Sequence, residues 1–302
     1  MGRLGIVYGL LAYGAWGLLP IYFKLLRAIP PMSIVALRVA FSMIVLIMLA
    51  WAARCWPKVR ATLRDRRALG LLLASSALIA VNWIFYVYAV NSGHILAGSL
   101  GYYLNPFANI LLGRFLLKER LSRLQWIAVA IAAVGIAVLA ANALGQLWIS
   151  LILCASFALY GFVRKVVAAD ALAGLTIENA MLVPFALTWL FYVHVPGTPP
   201  IAATGKLSFL VALAGIISTV PLLLFTAAAR RLPYSTMGML QFLAPTIQLL
   251  VAVFLYGEPF TSANAIAFAA IWTALALYSL ELRRTVRRDL PSAAENVMLA
   301  EC

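Results

Sequence analysis

The chain has 302 residues, of which 65% are apolar and only 11% are charged, and its mean hydropathy is +1.01. Soluble domains are about 45–50% apolar and about 25% charged. A soluble fold of this length could not bury so much apolar surface, so the composition excludes a soluble enzyme and a disordered chain. It predicts an integral membrane protein.

Ten continuous apolar runs follow one another along the chain, and each is close to the length that crosses about 30 Å of hydrocarbon as a helix. Because apolar and polar residues do not alternate in them, the runs predict helices rather than the strands of a barrel. We therefore expect an all-α integral membrane protein with ten transmembrane helices. The runs cover residues 4–23, 33–53, 68–90, 97–117, 124–144, 147–163, 175–195, 207–229, 234–256 and 263–280.

The distribution of Lys and Arg predicts the orientation of the chain. If ten spans alternate in direction, all but four of the 23 basic residues fall in connections on one side of the membrane. The exceptions are Lys24, Arg27 and Lys206 on the other side, and Arg38 within the second span. Since cytoplasmic loops collect Lys and Arg, we expect a multi-pass protein of the inner membrane with both termini in the cytoplasm.

The net charge of +14 follows from the same bias and does not indicate nucleic-acid binding. The most basic connection runs from Arg54 to Arg67. We interpret it as a topology determinant, with binding of anionic lipid headgroups as the alternative.

A weak internal repeat is present at a spacing of 139 residues. In the 34 positions from Ala89 to Ser122, seven residues are identical to their counterparts, among them Pro106 with Pro245 and Glu119 with Glu258. Apolar helices match by chance often, but these four residues are unusual in such helices. The matched spacing therefore indicates a duplicated unit.

A duplicated unit of five spans must enter the membrane from the opposite side the second time, because five is odd. The result is the inverted repeat of many secondary transporters, with a binding site between the halves. We predict repeats over residues 1–145 and 146–284, followed by a disordered cytoplasmic tail over 285–302. Pro106 and Pro245 are predicted to kink their helices and shape the cavity, with merely tolerated kinks as the alternative.

Two ionisable residues are predicted to lie within the membrane, where charge is costly and therefore informative. Arg38 either faces a cavity, where it would favour anionic solutes, or reaches an interface or a structural partner. Glu178 is either a proton-coupling group or a structural carboxylate near the start of its helix.

Amides, hydroxyls and aromatic rings are concentrated in the third, fourth and ninth runs. Such groups suit a polar cavity with aromatic walls, and hydrogen bonding between helices is the alternative. Gln241 lies seven residues from Gln248, so the two amides share one helix face. The candidate cavity residues are Arg38, Asn82, Trp83, Tyr86, Asn91, Tyr102, Tyr103, Asn105 and Gln241.

Five segments carry a resemblance to a known family: NWIFYVYAVNSGH, GSLGYYLNP, LLKERLSRLQW, SFALYGFVRK and GLTIEN. In these segments the chain resembles the RarD-type (chloramphenicol-sensitivity protein) family, in the EamA branch of the drug/metabolite transporter superfamily. The resemblance extends from the first span to the tenth. It implies an inner-membrane permease of two inverted five-helix halves, in which the first four helices of each half surround a central cavity.

The second span departs from the pattern of that family. Where the family usually carries Glu and His before the arginine, this chain has Ser33 and Leu37, and Phe41 replaces the usual Trp. Arg38 and Ser42 match. A coupling role for the missing ionisable groups is therefore not expected here.

We interpret the chain as a secondary active transporter that moves a small metabolite or drug-like solute by alternating access, and superfamily analogy favours export. A membrane-embedded enzyme would need a cluster of acid, base or metal-binding residues, whereas His94 and His194 lie 100 residues apart. A lipid-interacting structural protein would not need matched prolines. We expect no metal and no cofactor. The expected partners are a solute and the bilayer, and the chain could form a homodimer.

Overall fold

The computed structural model describes residues 2–92, 94–141, 145, 147–192, 205–257 and 260–288. Side chains are described within that part except those of residues 2, 90, 91, 95–98 and 282–288. The described residues form helices joined by short connections, and no strand occurs among them. The helices are α1 (Gly2–Gly17), α2 (Leu19–Leu25), α3 (Pro31–Ala52), α4 (Trp56–Arg64), α5 (Arg66–Asn91), α6 (Ile95–Phe115), α7 (Arg123–Ala140), α8 (Leu147–Val166), α9 (Ala171–Tyr192), α10 (Gly205–Ala229), α11 (Tyr234–Gln241), α12 (Leu243–Leu250) and α13 (Ser262–Arg288).

The helices confirm an all-α, multi-pass membrane protein. In the described part of the chain, nine helical segments are long and apolar enough to cross a membrane. α6 is not among the nine, and the side chains of its first four residues lie outside the described part of the chain. The count of ten spans therefore stays a prediction. α13 runs to Arg288, four residues into the tail predicted from residue 285, and the rest of that tail lies outside the described residues.

Two of the predicted spans are interrupted rather than continuous, and a proline follows each break. The first span breaks at Leu18, between α1 and α2, and Pro20 lies in the first turn of α2. Proline has no N–H, so the carbonyl of Trp16 loses its helical donor. The Gln248 side chain replaces that donor, with its Nε2 3.2 Å from the Trp16 oxygen.

The ninth span breaks at Phe242, between α11 and α12, and ends in a π-helical turn over Val251–Leu255. Pro245 lies three residues after this break, as expected for a residue that cannot bond to the carbonyl four positions back. α6, in contrast, stays helical through Pro106. The two prolines matched by the repeat therefore differ, since a helix break accompanies Pro245 and none accompanies Pro106.

The basic connection after α3 contains a short helix, α4, that the sequence analysis treated as a loop. α4 buries Val59 and Thr62 and leaves its basic residues exposed. Lys58 Nζ lies 3.2 Å from Asp170 Oδ2, in the connection before α9. Burial alone would raise the pKa of the Asp170 carboxyl, but hydrogen bonds from Lys58 and from the Leu172 backbone, together with the Lys58 charge, lower that pKa overall.

The helices pack as two compact units. One unit consists of α7 and α13, which pack against each other. The other contains the remaining helices, in which α1 packs on α10 and α12, α3 on α9 and α10, α5 on α8 and α9, and α6 on α8 and α11. Its core is rich in aromatic side chains, with Tyr13, Tyr160, Phe225 and Tyr234 all fully buried.

A close helix crossing fixes the spacing of α3 and α10. A Cβ atom added at Gly215 would lie 2.5 Å from the backbone oxygen of Phe41, a position that real Cβ atoms do not adopt. The hydroxyl of Ser42 donates to the Gly215 carbonyl at 3.4 Å. Small residues that let two backbones approach are a usual device of helix packing in membranes.

An ion pair is fully buried where α8 and α9 meet. Arg164 Nη1 lies 3.3 Å from Glu178 Oε1, and the two side chains are 0% and 3% exposed. Ser75 donates to the same carboxylate, while Arg164 also donates to Thr226 Oγ1 at 3.3 Å and to the Ala171 carbonyl at 3.1 Å. The loop charges predicted from the sequence include Arg164, but these partners hold it inside the protein.

We expect Gly215→Ala to lower the free energy of unfolding by about 1–3 kcal/mol, because the methyl group forces α3 away from α10. Thermal unfolding of the detergent-solubilised protein measures the effect. Gly70→Ala in α5 is the control, since nothing lies within 4 Å of an added Cβ there. Equal stability of the two variants would contradict the close crossing.

Removing one partner of the buried ion pair should cost about 3–5 kcal/mol, because the other charge is left unpaired away from water. We expect Arg164→Met or Glu178→Leu alone to destabilise strongly and the double variant to recover most of the loss. A double-mutant cycle in denaturant measures the coupling. The exposed pair Lys58–Asp170 is the control and should couple by less than about 1 kcal/mol. Additive losses at Arg164 and Glu178 would contradict the assignment.

Candidate functional site

A cavity of about 370 Å³ lies within the larger helical unit. Both helix interruptions contribute to its wall: Pro20 follows the break in the first span, and Gln241 and Pro245 flank the break in the ninth. The lining residues are Tyr13, Trp16, Leu19, Pro20, Phe23, Arg38, Ile79, Asn82, Trp83, Tyr86, Tyr102, Phe157, Leu222, Gln241, Ala244, Pro245 and Gln248. Its volume falls within the range of small-molecule sites.

Arg38 is the charged residue of this wall. Its Nε donates to Ser218 Oγ at 2.8 Å, and its guanidinium carbon lies 5.5 Å from the ring centre of Phe23 and 5.4 Å from that of Trp83. Among the described residues, no carboxylate lies within 4.0 Å of Arg38. Arg38 thus lines the cavity and also has a structural partner in Ser218, so features of both alternatives are present, and a contact with solute stays a prediction.

Asn82 is satisfied by other helices and serves to hold the wall together. Its Nδ2 donates to the Leu153 carbonyl and to Ser156 Oγ, both at 3.0 Å, and its Oδ1 accepts from the Tyr102 hydroxyl at 3.2 Å. These bonds join α5 to α6 and α8. Cavity lining and hydrogen bonding between helices, posed as alternatives for this residue, therefore both apply.

Besides Arg38, the polar side chains of the wall that keep hydrogen-bonding capacity include Gln248, Gln241 and Tyr86. Gln248 uses its Nε2 on the Trp16 carbonyl, and its Oε1 makes no bond to a described residue. Gln241 accepts from Asn109 Nδ2 at 2.8 Å through one amide atom. The ring of Tyr86 is tilted by 59° against that of Tyr102, with ring centres 5.8 Å apart, and the Tyr86 hydroxyl makes no hydrogen bond within the described part of the chain.

Other predicted site residues lie away from the cavity. Tyr103 is half-buried and Asn105 is fully buried, and neither belongs to the wall. No hydrogen bond to a described residue satisfies either amide atom of Asn105. Glu178 belongs to the buried ion pair with Arg164, also outside the wall. The side chain of Asn91 lies outside the described residues.

Much of the apolar wall is not predicted from the sequence, above all Trp16, Phe157 and Leu222. Trp16 packs edge-on against Phe157 with ring centres 5.7 Å apart. Aromatic residues in apolar runs are usually core residues, so composition alone does not single these out. The repeat could have found one of them, because a shift of 139 residues places Leu222 opposite the predicted Trp83.

Comparison with known proteins agrees with these features. The family model of the EamA-like transporter family matches residues 3–141. An uncharacterized transporter of Pseudomonas aeruginosa is 46% identical over 95% of this chain and 96% of its own length. Protein RarD of Escherichia coli is 40% identical over 95% of this chain and 97% of its own length.

A solved crystal structure has the same fold. It superimposes with a TM-score of 0.73, covering 94% of this chain and 100% of its own, at 20% sequence identity. An identity that low shows shared architecture and nothing about solute. The full-length matches to the relatives carry the assignment: the chain belongs to the RarD-type family of EamA-like transporters.

Proposed function

We propose that this protein is a secondary active transporter that moves a small solute across the bacterial inner membrane by alternating access through the cavity. Membership of a transporter family favours this function over a membrane-embedded enzyme or a lipid-interacting structural protein. Export is the direction that we propose, by analogy with the superfamily, and both termini are placed in the cytoplasm by the positive-inside rule.

The observation that carries the proposal is a cavity with an apolar, aromatic wall and a few polar groups, bounded by two interrupted helices. Broken backbone is tolerated at membrane depth only where protein or a water-filled cavity surrounds it. Transporter sites are typically built from such discontinuous helices near the midplane. Here the breaks at Leu18 and Phe242 are both next to residues that line the cavity.

The packing pattern supports the inverted repeat that alternating access needs. We number the spans one to ten along the chain and pair each span with the one five positions away. Contacts between two spans then recur between their two counterparts. The packing of α5 on α8 corresponds to that of α10 on α1, and the packing of α3 on α10 corresponds to that of α9 on α5. Some lining residues occupy equivalent positions in the two repeats. The shift of 139 residues relates Trp83 to Leu222 and Tyr102 to Gln241, and all four line the cavity.

Buried aromatic rings on the cytoplasmic side of the cavity favour a conformation that is closed on that side. Under the predicted orientation, α3 and α6 begin at the external face. Arg38 and Tyr102 each lie seven residues, or about 10 Å, from those helix starts. On the cytoplasmic side of the cavity lie fully buried rings such as Tyr160 and Tyr234.

Glu119 is the proposed latch of the cytoplasmic side. Its carboxylate follows the end of α6 and accepts from the first backbone N–H groups of α11: from Tyr234, and from Ser235 at 2.9 Å. The Ser235 hydroxyl donates to it at 2.7 Å. A carboxylate at a helix N-terminus is stabilised by unpaired donors and by the helix dipole. One side chain thus fastens α6 to α11 where the cavity must open inward.

Flux into proteoliposomes tests the proposed function. We expect at least one member of a panel of small metabolites and drugs to cross faster with protein than without it, in assays with and without a pH gradient. Solute loaded on either side tests the direction. In the same assay, loss of the pH dependence in Glu178→Gln would support coupling through Glu178, and unchanged dependence would leave it a structural partner of Arg164. No protein-dependent flux for any solute would contradict the proposal.

We expect Glu119→Ala to shift the protein toward the inward-open conformation, because α6 and α11 lose their shared carboxylate. A single cysteine introduced as Ala244→Cys, after replacement of Cys55, Cys154 and Cys302 by Ser, reports access to the cavity. A membrane-impermeant thiol reagent applied from the cytoplasmic side should react roughly tenfold faster in the Glu119→Ala background, equivalent to about 1.4 kcal/mol.

Asp65→Ala is the matched control for this experiment. Asp65 also caps a helix, accepting from Arg67 N at 2.9 Å and Ala68 N at 3.1 Å, but it caps its own chain segment and joins no second span. Its loss should leave the labelling rate unchanged. Equal rates for Glu119→Ala and Asp65→Ala would exclude the latch.

A further inference from the structure

We propose that the cavity takes compact organic monoanions, each with a carboxylate or similar oxyanion on an apolar or aromatic body, and that Arg38 is the counterion. This inference rests on the proposed transport function and names its solute class. Its basis is the charge of Arg38, for which no carboxylate among the described residues lies within 4.0 Å.

The guanidinium of Arg38 is only partly satisfied. Its Nε bonds to Ser218, whereas its two terminal NH₂ groups make no hydrogen bond to a described residue. Phe23 and Trp83 flank it at cation–π distances, which stabilises the charge without neutralising it. An arginine within a membrane span costs roughly 2.5–3.5 kcal/mol on insertion scales. A group retained at that cost, and aimed into a cavity, is suited to bind an oxyanion.

The buried pair of Arg164 and Glu178 provides an internal comparison. That arginine has a carboxylate at 3.3 Å and does not line the cavity. The protein thus neutralises one intramembrane arginine with its own acid and leaves Arg38, at the cavity wall, without one among the described residues. A bound anion would give Arg38 the partner that Glu178 gives Arg164.

The charges around the cavity indicate a monoanion. No Asp, Glu or Lys is among the lining residues, so one positive charge is available and nothing pairs with an ammonium group. Lys24 and Arg27 follow Phe23 on exposed positions of the same segment, where they would attract anions toward the opening. Of the nine acidic residues, Glu258 alone falls in an external connection under the predicted orientation.

The rest of the wall suits an apolar or aromatic body. Trp16, Phe157 and Tyr102 present rings to the cavity, with Tyr102 and Phe157 6.3 Å apart in an edge-on arrangement. Such walls exclude water, which strengthens a charge-assisted hydrogen bond to Arg38. The free Oε1 of Gln248 can accept one hydrogen bond from the solute.

Four probes of similar size and different charge test the inference: phenylacetate, phenylacetamide, phenylalanine and phenethylamine. Isothermal titration of the purified full chain in detergent measures their binding, with benzoate and indole-3-acetate as further monoanions. We expect phenylacetate to bind at least tenfold more tightly than the neutral amide, as a charge-assisted hydrogen bond implies. The zwitterion and the cation should bind more weakly than phenylacetate.

Three variants assign that preference to Arg38. Arg38→Gln should reduce the tenfold preference for phenylacetate over phenylacetamide to less than about twofold, while Arg38→Lys should keep part of it, because the charge remains but the planar guanidinium is lost. Ser218→Ala removes the fixed partner of Arg38 and should weaken phenylacetate binding severalfold while retaining the preference. Arg231→Gln is the matched control, since Arg231 also lies over an aromatic ring, Tyr8, but does not line the cavity.

The outcomes separate this inference from the proposed function. Protein-dependent flux of neutral or cationic solutes that is unaffected by Arg38→Gln would leave the transporter standing and overturn the anion site. Absence of binding by all three monoanions at millimolar concentration, or an undiminished preference in a folded Arg38→Gln variant, would overturn it as well. If that variant does not fold, loss of the anion preference in Arg38→Lys would count against the site in the same way.

Discussion

The need to satisfy every backbone group without water is the constraint on which this structure depends. In hydrocarbon an unpaired carbonyl costs several kcal/mol, so a span can be broken only where another group replaces the lost hydrogen bond. Pro20 removes the donor of the Trp16 carbonyl, and the Gln248 amide replaces it from the ninth span. The Gln248 side chain thereby stabilises the break in the first span, links two helices and lines the cavity.

Hydrogen bonds between polar side chains of neighbouring helices hold the cavity wall together. Asn82 uses all its capacity on α6 and α8, and Asn109 bonds to Gln241, so most amides of the region maintain helix contacts. Among the described residues of the wall, the groups that keep capacity include the terminal groups of Arg38, one amide oxygen of Gln248, the amide nitrogen of Gln241 and the hydroxyl of Tyr86. A site that must bind and release a solute benefits from a rigid wall with few exposed polar groups.

Sequence reasoning predicted the fold class and part of the site, for reasons that the structure makes clear. Membrane composition and loop charge are strong signals, so the all-α, multi-pass architecture followed from them. Arg38, Trp83 and Gln241 were found because polar or amphipathic residues are rare in apolar runs. Arg164 was misassigned because its buried partner, Glu178, lies on another helix, and no local pattern shows such a pair. Trp16 and Phe157 were missed because an aromatic ring facing a cavity looks in sequence like one in a core.

Under the proposed orientation, alternating access requires the cytoplasmic ends of α6 and α11 to move apart when the cavity opens inward. Pulsed electron–electron double resonance between spin labels at positions 118 and 231 measures that separation directly. Lys118 and Arg231 are both exposed and lie on the cytoplasmic side under the proposed orientation. The account predicts a second, longer distance whose population changes when transported solute is added. A single distance, unchanged in all conditions under which the protein transports, would contradict alternating access through this cavity.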